Sequence, residues 1–71
     1  MTPTREQLDR ALWRAAHAAK EADRHLRQAT LPGMHTADRA YHTAKAWEAY
    51  FALGEALRQT GTEPPQPAEG P

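Results

Sequence analysis

A chain of 71 residues holds one domain at most, and it lies near the lower size limit for stabilisation by a single hydrophobic core. Nine Lys and Arg balance nine Asp and Glu, so the strongly basic footprint of an ordinary nucleic-acid binder is missing. With no cysteine, disulfides and thiolate metal sites are excluded.

Alanine is abundant and valine and isoleucine are absent, a composition that favours helix and argues against sheet. No apolar run approaches the roughly 20 residues of a membrane span. Met1 to Arg10 lacks the apolar region of a signal peptide. The expected location is cytoplasmic, with no membrane partner.

The first element starts at "TPTREQ". Either Thr2 caps with Pro3 at the first helical position, or Thr4 caps and Gln7 completes a capping box. The helix is predicted over about residues 4–29. "TLPGMH" is the break, because Pro32 biases Leu31 away from helix and Gly33 permits positive φ. Thr36 is the expected N-cap of a second helix over about residues 36–59. Asp38 lies in its first turn, at the positive end of the helix dipole. Gly61 stands where a C-terminal glycine belongs. Residues 62–71 are rich in proline and poor in large apolar residues, which predicts a disordered tail. The expected fold is all-α: an antiparallel two-helix hairpin over residues 1–61.

On the first helix Leu8, Leu12, Ala15, Ala19, Ala22 and Leu26 alternate spacings of four and three, a heptad-like seam. The second helix is apolar over a wider arc. One stripe is Ala37, Ala40, Ala44, Trp47, Phe51 and Gly54; another is Ala46, Tyr50, Leu53 and Leu57. The expected core is Leu8, Leu12, Ala15, Ala19, Leu26, Ala44, Trp47, Tyr50, Phe51, Leu53 and Leu57. One alanine seam cannot cover both stripes, and a wet apolar arc is costly in a small chain. Two copies are therefore expected to form a four-helix bundle, with Trp47, Tyr50, Phe51, Leu53 and Leu57 as self-association residues. The rival is a hetero-complex in which another protein covers the same arc.

Trp13 lies about 100° from the centre of the first seam, among charged residues. One reading folds it over the edge onto Ala16. The other makes it a protein-partner hot spot with Arg10, Arg14, Lys20 and Arg24, since Trp and Arg are enriched at such places. The same basic residues support an alternative reading as a nucleic-acid-binding accessory protein. Against that, Glu6, Asp9, Glu21 and Asp23 share the face, and Glu6–Arg10 and Asp23–Arg27 have the i, i+4 spacing of ordinary ion pairs.

Glu21, His25, Asp38 and His42 are the candidates for a metal site between facing helices, a second alternative function. Their spacing differs from the Glu-x-x-His of ferritin-like di-iron proteins, and boundary or surface histidines are the plainer reading. No cofactor is expected. Catalytic residues are not identifiable: cysteine and serine are absent and no Gly-rich phosphate loop is present. No family resemblance is evident. The sequence thus predicts a small, non-enzymatic, self-associating helical protein that binds itself and another protein.

Overall fold

Thr4 opens the first helix through a reciprocal capping box. Its hydroxyl accepts the Gln7 N–H at 3.1 Å, and the Gln7 side-chain oxygen accepts the Thr4 N–H at 2.9 Å. Two N–H groups that have no partner inside the helix are thereby satisfied. Helix α1 runs Arg5–Ala29 and α2 runs Thr36–Arg58 in the computed structural model, which describes residues 2–65. No strand occurs among the described residues. Residues 66–71 of the expected tail lie outside them, and residues 62–65 are neither helix nor strand.

The break follows the local chemistry. Thr30 closes α1, its hydroxyl donating to the Arg27 carbonyl at 2.9 Å. Gly33 adopts φ +78, a conformation that disfavours any residue with a Cβ. Thr36 is not the N-cap of α2. It is the first helical residue, and His35 occupies the cap with extended backbone and no side-chain hydrogen bond. Gly61, at φ +82, turns the chain after α2, and its N–H reaches the Arg58 carbonyl at 3.0 Å.

The two helices pack against each other in antiparallel sense: Arg14 near the start of α1 meets Gln59 beyond the end of α2, and His25 meets His42. The contact seam differs from the expected one. On α1 the seam residues, buried or half-buried, are Leu8, Ala11, Ala15, Ala18, Ala22, His25 and Ala29, with Glu21 half-buried beside them. On α2 they include His42, Ala46, Ala49, Leu53 and Ala56, and Thr60 continues the row just past the helix end. Both sets alternate spacings of three and four, so each is a heptad seam. Ala11, Ala15, Ala18, Ala29, Ala46 and Ala56 form the fully buried core.

The expected core is corrected accordingly. Leu12, Leu26, Trp47, Tyr50, Phe51 and Leu57 are exposed in the hairpin, and so are Ala19 and Ala44; Leu53 is half-buried. Small side chains let the two helices approach closely, and that closeness shuts large ones out of the seam. A buried methyl group contributes only about 0.8 kcal/mol, against about 1.5–3 kcal/mol for a fully buried leucine or phenylalanine. No large side chain is fully buried among the described residues. The hairpin therefore brings little hydrophobic stabilisation of its own.

Ala18 separates the two seams, since it belongs to the observed one and not to the expected one. Ala18→Leu forces a larger group into the close contact and should lower stability by about 1–3 kcal/mol in urea unfolding followed by helical circular dichroism. An unchanged transition would place Ala18 outside the interface.

Candidate functional site

The seam fixes where every other residue points. In an antiparallel heptad pair, positions just after the three-residue step lie on one broad side of the pair, and positions just before the four-residue partner lie on the other. On the first side α1 places Leu12, Ala19 and Leu26, and α2 places Thr43, Tyr50 and Leu57. Trp47 and Gly54 flank them on α2. All of these except the half-buried Gly54 are exposed. Trp47, Tyr50 and Phe51 touch one another: Trp47 and Tyr50 meet edge to face at 5.5 Å, and Trp47 stacks with Phe51 at 5.8 Å. Phe51 extends the cluster to the outer side of α2 and is 66% exposed. Tyr50, Phe51, Leu53, Gly54 and Leu57 line one side of a hollow on this surface, whose other side is formed by Arg58 and residues 62–65. At Gly54 an added Cβ would meet only the Arg58 guanidinium, at 3.7 Å, so the space over the glycine is open within the hairpin.

The opposite broad side is polar. Arg14, Glu21, Lys45, Glu48 and Gln59 line a shallow groove there, with Ala18, Ala49, Ala52 and Ala56 as its floor. The Arg14 guanidinium donates to the Gln59 side-chain oxygen at 3.3 Å across the groove. The Lys45 ammonium meets the Glu48 carboxylate at 3.1 Å. That hydrogen bond, with the charge of Glu48 behind it, holds the Lys45 pKa above its ordinary value. Lys45 also lies 5.7 Å from the centre of the Tyr41 ring.

The expected partner-binding residues do not form one cluster. Trp13 is 69% exposed and stacks flat on His17, with ring centres 5.5 Å apart, rather than folding onto Ala16. Arg14 joins it at the rim of the groove. Arg10 is paired with Glu6 at 3.0 Å and Arg24 with Glu21 at 2.7 Å. Lys20 is exposed. Of the expected self-association residues, Trp47, Tyr50, Phe51 and Leu57 share the exposed apolar surface, while Leu53 faces the seam.

Two of the four metal candidates meet. His25 on α1 and His42 on α2 bring their Nδ1 atoms to 3.0 Å across the seam. Glu21 stands behind His25, its carboxylate 4.0 Å from Nε2, and the Tyr41 ring abuts both imidazoles edge-on. Asp38 is exposed in the first turn of α2. Among the described residues no three His, Cys, Asp or Glu side chains gather around one point. Sequence reasoning missed the direct His25–His42 contact and the outward role of Leu12 and Leu26. The signal for both was the second 3/4 pattern on α1, the one that runs through Ala11, Ala18 and His25.

No described helix is long and apolar enough to cross a membrane. Trp13 has no packing role inside the hairpin beyond its stack on His17. Trp13→Ala should shift unfolding stability by no more than about 0.5 kcal/mol, the range of an ordinary surface substitution. Thermal melting read at 222 nm checks this, and a clear loss of stability would assign the ring to the fold.

Compared with protein-family models, with curated proteins and with solved structures, the chain has no match in any of the three.

Proposed function

We propose that this chain is a non-enzymatic helical interaction module that works as a homodimer. Two hairpins join through their apolar sides into a four-helix bundle, and the polar sides remain outward for a second protein. One observation carries the reading: apart from the half-buried Leu8 and Leu53, the large apolar side chains of the two helices lie outside the seam, and Leu12, Leu26, Trp47, Tyr50 and Leu57 share one side. An apolar surface of this extent marks an interaction site.

Surface area points the same way. The chain exposes 6150 Å². A compact monomer of 7.9 kDa exposes about 4,400 Å². A hairpin of two helices, with no further element packed on it among the described residues, exposes more surface than a compact chain of its mass. A second copy suits the role because an alanine-cored hairpin needs cover whenever it is folded. Its own chain is the one partner always present in proportion. An isologous pairing then places the same surface on both protomers.

The polar side fits the second interaction. Trp13 stands clear of the bundle beside Arg14, an aromatic–arginine pairing of the kind enriched at binding hot spots. Lys20 is exposed on the same helix, while Arg10 and Arg24 are held by Glu6 and Glu21. Nucleic-acid binding is the weaker reading, because Arg10, Arg24 and Arg27 are each neutralised by a carboxylate on their own helix.

Native mass spectrometry and light scattering at micromolar concentration test the dimer. The expected result is a dimer for the natural chain and a monomer of reduced helicity for a Trp47→Ala, Tyr50→Ala double variant. Removing two half-exposed rings from an isolated hairpin would change little, so a stable, fully helical monomer in both cases would overturn the proposal.

A further inference from the structure

The His25–His42 pair stands apart from the rest of the seam. It is a polar contact in a seam whose other residues within α1 and α2 are alanine and leucine, and the His25 side chain is only 15% exposed. We infer that His25 and His42 form a two-imidazole chelate for a late divalent transition metal, with Cu²⁺ as the preferred ion. The site belongs to the hairpin itself and does not rest on the dimer.

Three features support it. The first is distance. Metal–nitrogen bonds are about 2.0–2.1 Å long, so nitrogens 3.0 Å apart subtend roughly 91–97° at a shared ion. That is the cis angle of a tetragonal site, the geometry of Cu²⁺ and Ni²⁺, whereas a tetrahedral ion needs the nitrogens a few tenths of an ångström farther apart. Among divalent ions at nitrogen ligands, Cu²⁺ binds most tightly.

The second is the proton arrangement. The short Nδ1–Nδ1 contact requires one of the two nitrogens to be a bare lone pair that accepts the other's proton. Glu21 stands on the Nε2 side of His25, 4.0 Å away, with the same carboxylate oxygen bonded to Arg24 at 2.7 Å. On binding, the proton of the donating ring moves to its own Nε2 through solvent, both Nδ1 lone pairs face the ion, and no net proton is released from a neutral pair.

The third is access and charge. The pair lies beside the polar groove, which His25 and Glu21 help to line, so water can complete the coordination shell. The rings now meet almost head-on, with centres 5.2 Å apart, and a tilt of both turns the lone pairs toward one point. Around the pair, Glu21 and Glu48 oppose the positive charges of Arg24 and Lys45, so the ion does not enter a net positive field.

The test uses the full chain stripped with chelator, then titrated with Cu²⁺ at neutral pH. The histidine ring signals are followed by nuclear magnetic resonance. Substoichiometric Cu²⁺ should broaden His25 and His42 before His17 and His35, and electron paramagnetic resonance should show two equivalent nitrogens. The melting temperature should rise with Cu²⁺ in the natural chain and not in His42→Gln, while a His17→Gln, His35→Gln double variant retains the rise. Equal broadening of all four histidines, or a retained rise in His42→Gln, overturns the site. Should His42→Gln fail to fold by circular dichroism, the order of broadening in the natural chain decides.

Discussion

The close approach of two alanine-lined helices governs this structure. Ala11, Ala15 and Ala18 on one side and Ala46, Ala49 and Ala56 on the other bring no bulk to the seam, so the backbones can come together. A leucine or tryptophan in that gap would hold them apart. The seam therefore sorts the chain by size, with methyl groups inside and rings and isobutyl groups outside. Small seams give shape and register, but the apolar area they remove from water is modest. Most of the large apolar side chains of this sequence lie on the outer side of the hairpin.

That sorting explains which parts of the molecule could be read from sequence. The helices, the break and the first cap rest on local chemistry: alanine content, Thr4 with Gln7, and Gly33 at positive φ. Each is decided within a few residues. The seam is a choice between two patterns that share Leu8, Ala15 and Ala22. One adds Leu12, Ala19 and Leu26; the other adds Ala11, Ala18 and His25. Periodicity scores them alike, and a preference for large apolar residues selects the first. Interhelical distance selects the second, and distance is a property of the pair rather than of either helix. The cap of α2 misled in the opposite way, since Thr36 has the right chemistry and the chain enters the helix one residue earlier.

The charged residues follow a local logic as well. Glu6–Arg10, Glu21–Arg24, Asp23–Arg27 and Lys45–Glu48 are all pairs within one helix, three or four residues apart. Exposed pairs of this kind contribute little to stability. Their consequence is to neutralise the outer surface, so that neither helix presents a continuous basic stripe. Arg14 is one of five cations, with Arg5, Lys20, Arg39 and Arg58, that form no ion pair among the described residues, and with Trp13 it lines the groove. The identity of the candidate binding surface comes from what local pairing leaves over.

An alanine seam carries an inherent ambiguity, because sliding one helix by a heptad exchanges one methyl group for another at small cost. Groups that differ from their neighbours must set the register. Arg14 with Gln59 and His25 with His42 are the side-chain hydrogen bonds that cross between the helices among the described residues. One lies near the open end of the hairpin and the other nearer the turn. A slip by one heptad moves each partner about 10 Å along the axis and leaves a half-buried imidazole facing a methyl group. Polar residues at single seam positions are known to specify register at some expense in stability. On this argument the histidine pair has a structural reason to be where it is even without a ligand. The same geometry that fixes the register, two imidazole nitrogens held facing each other, is the one on which the proposed chelate rests.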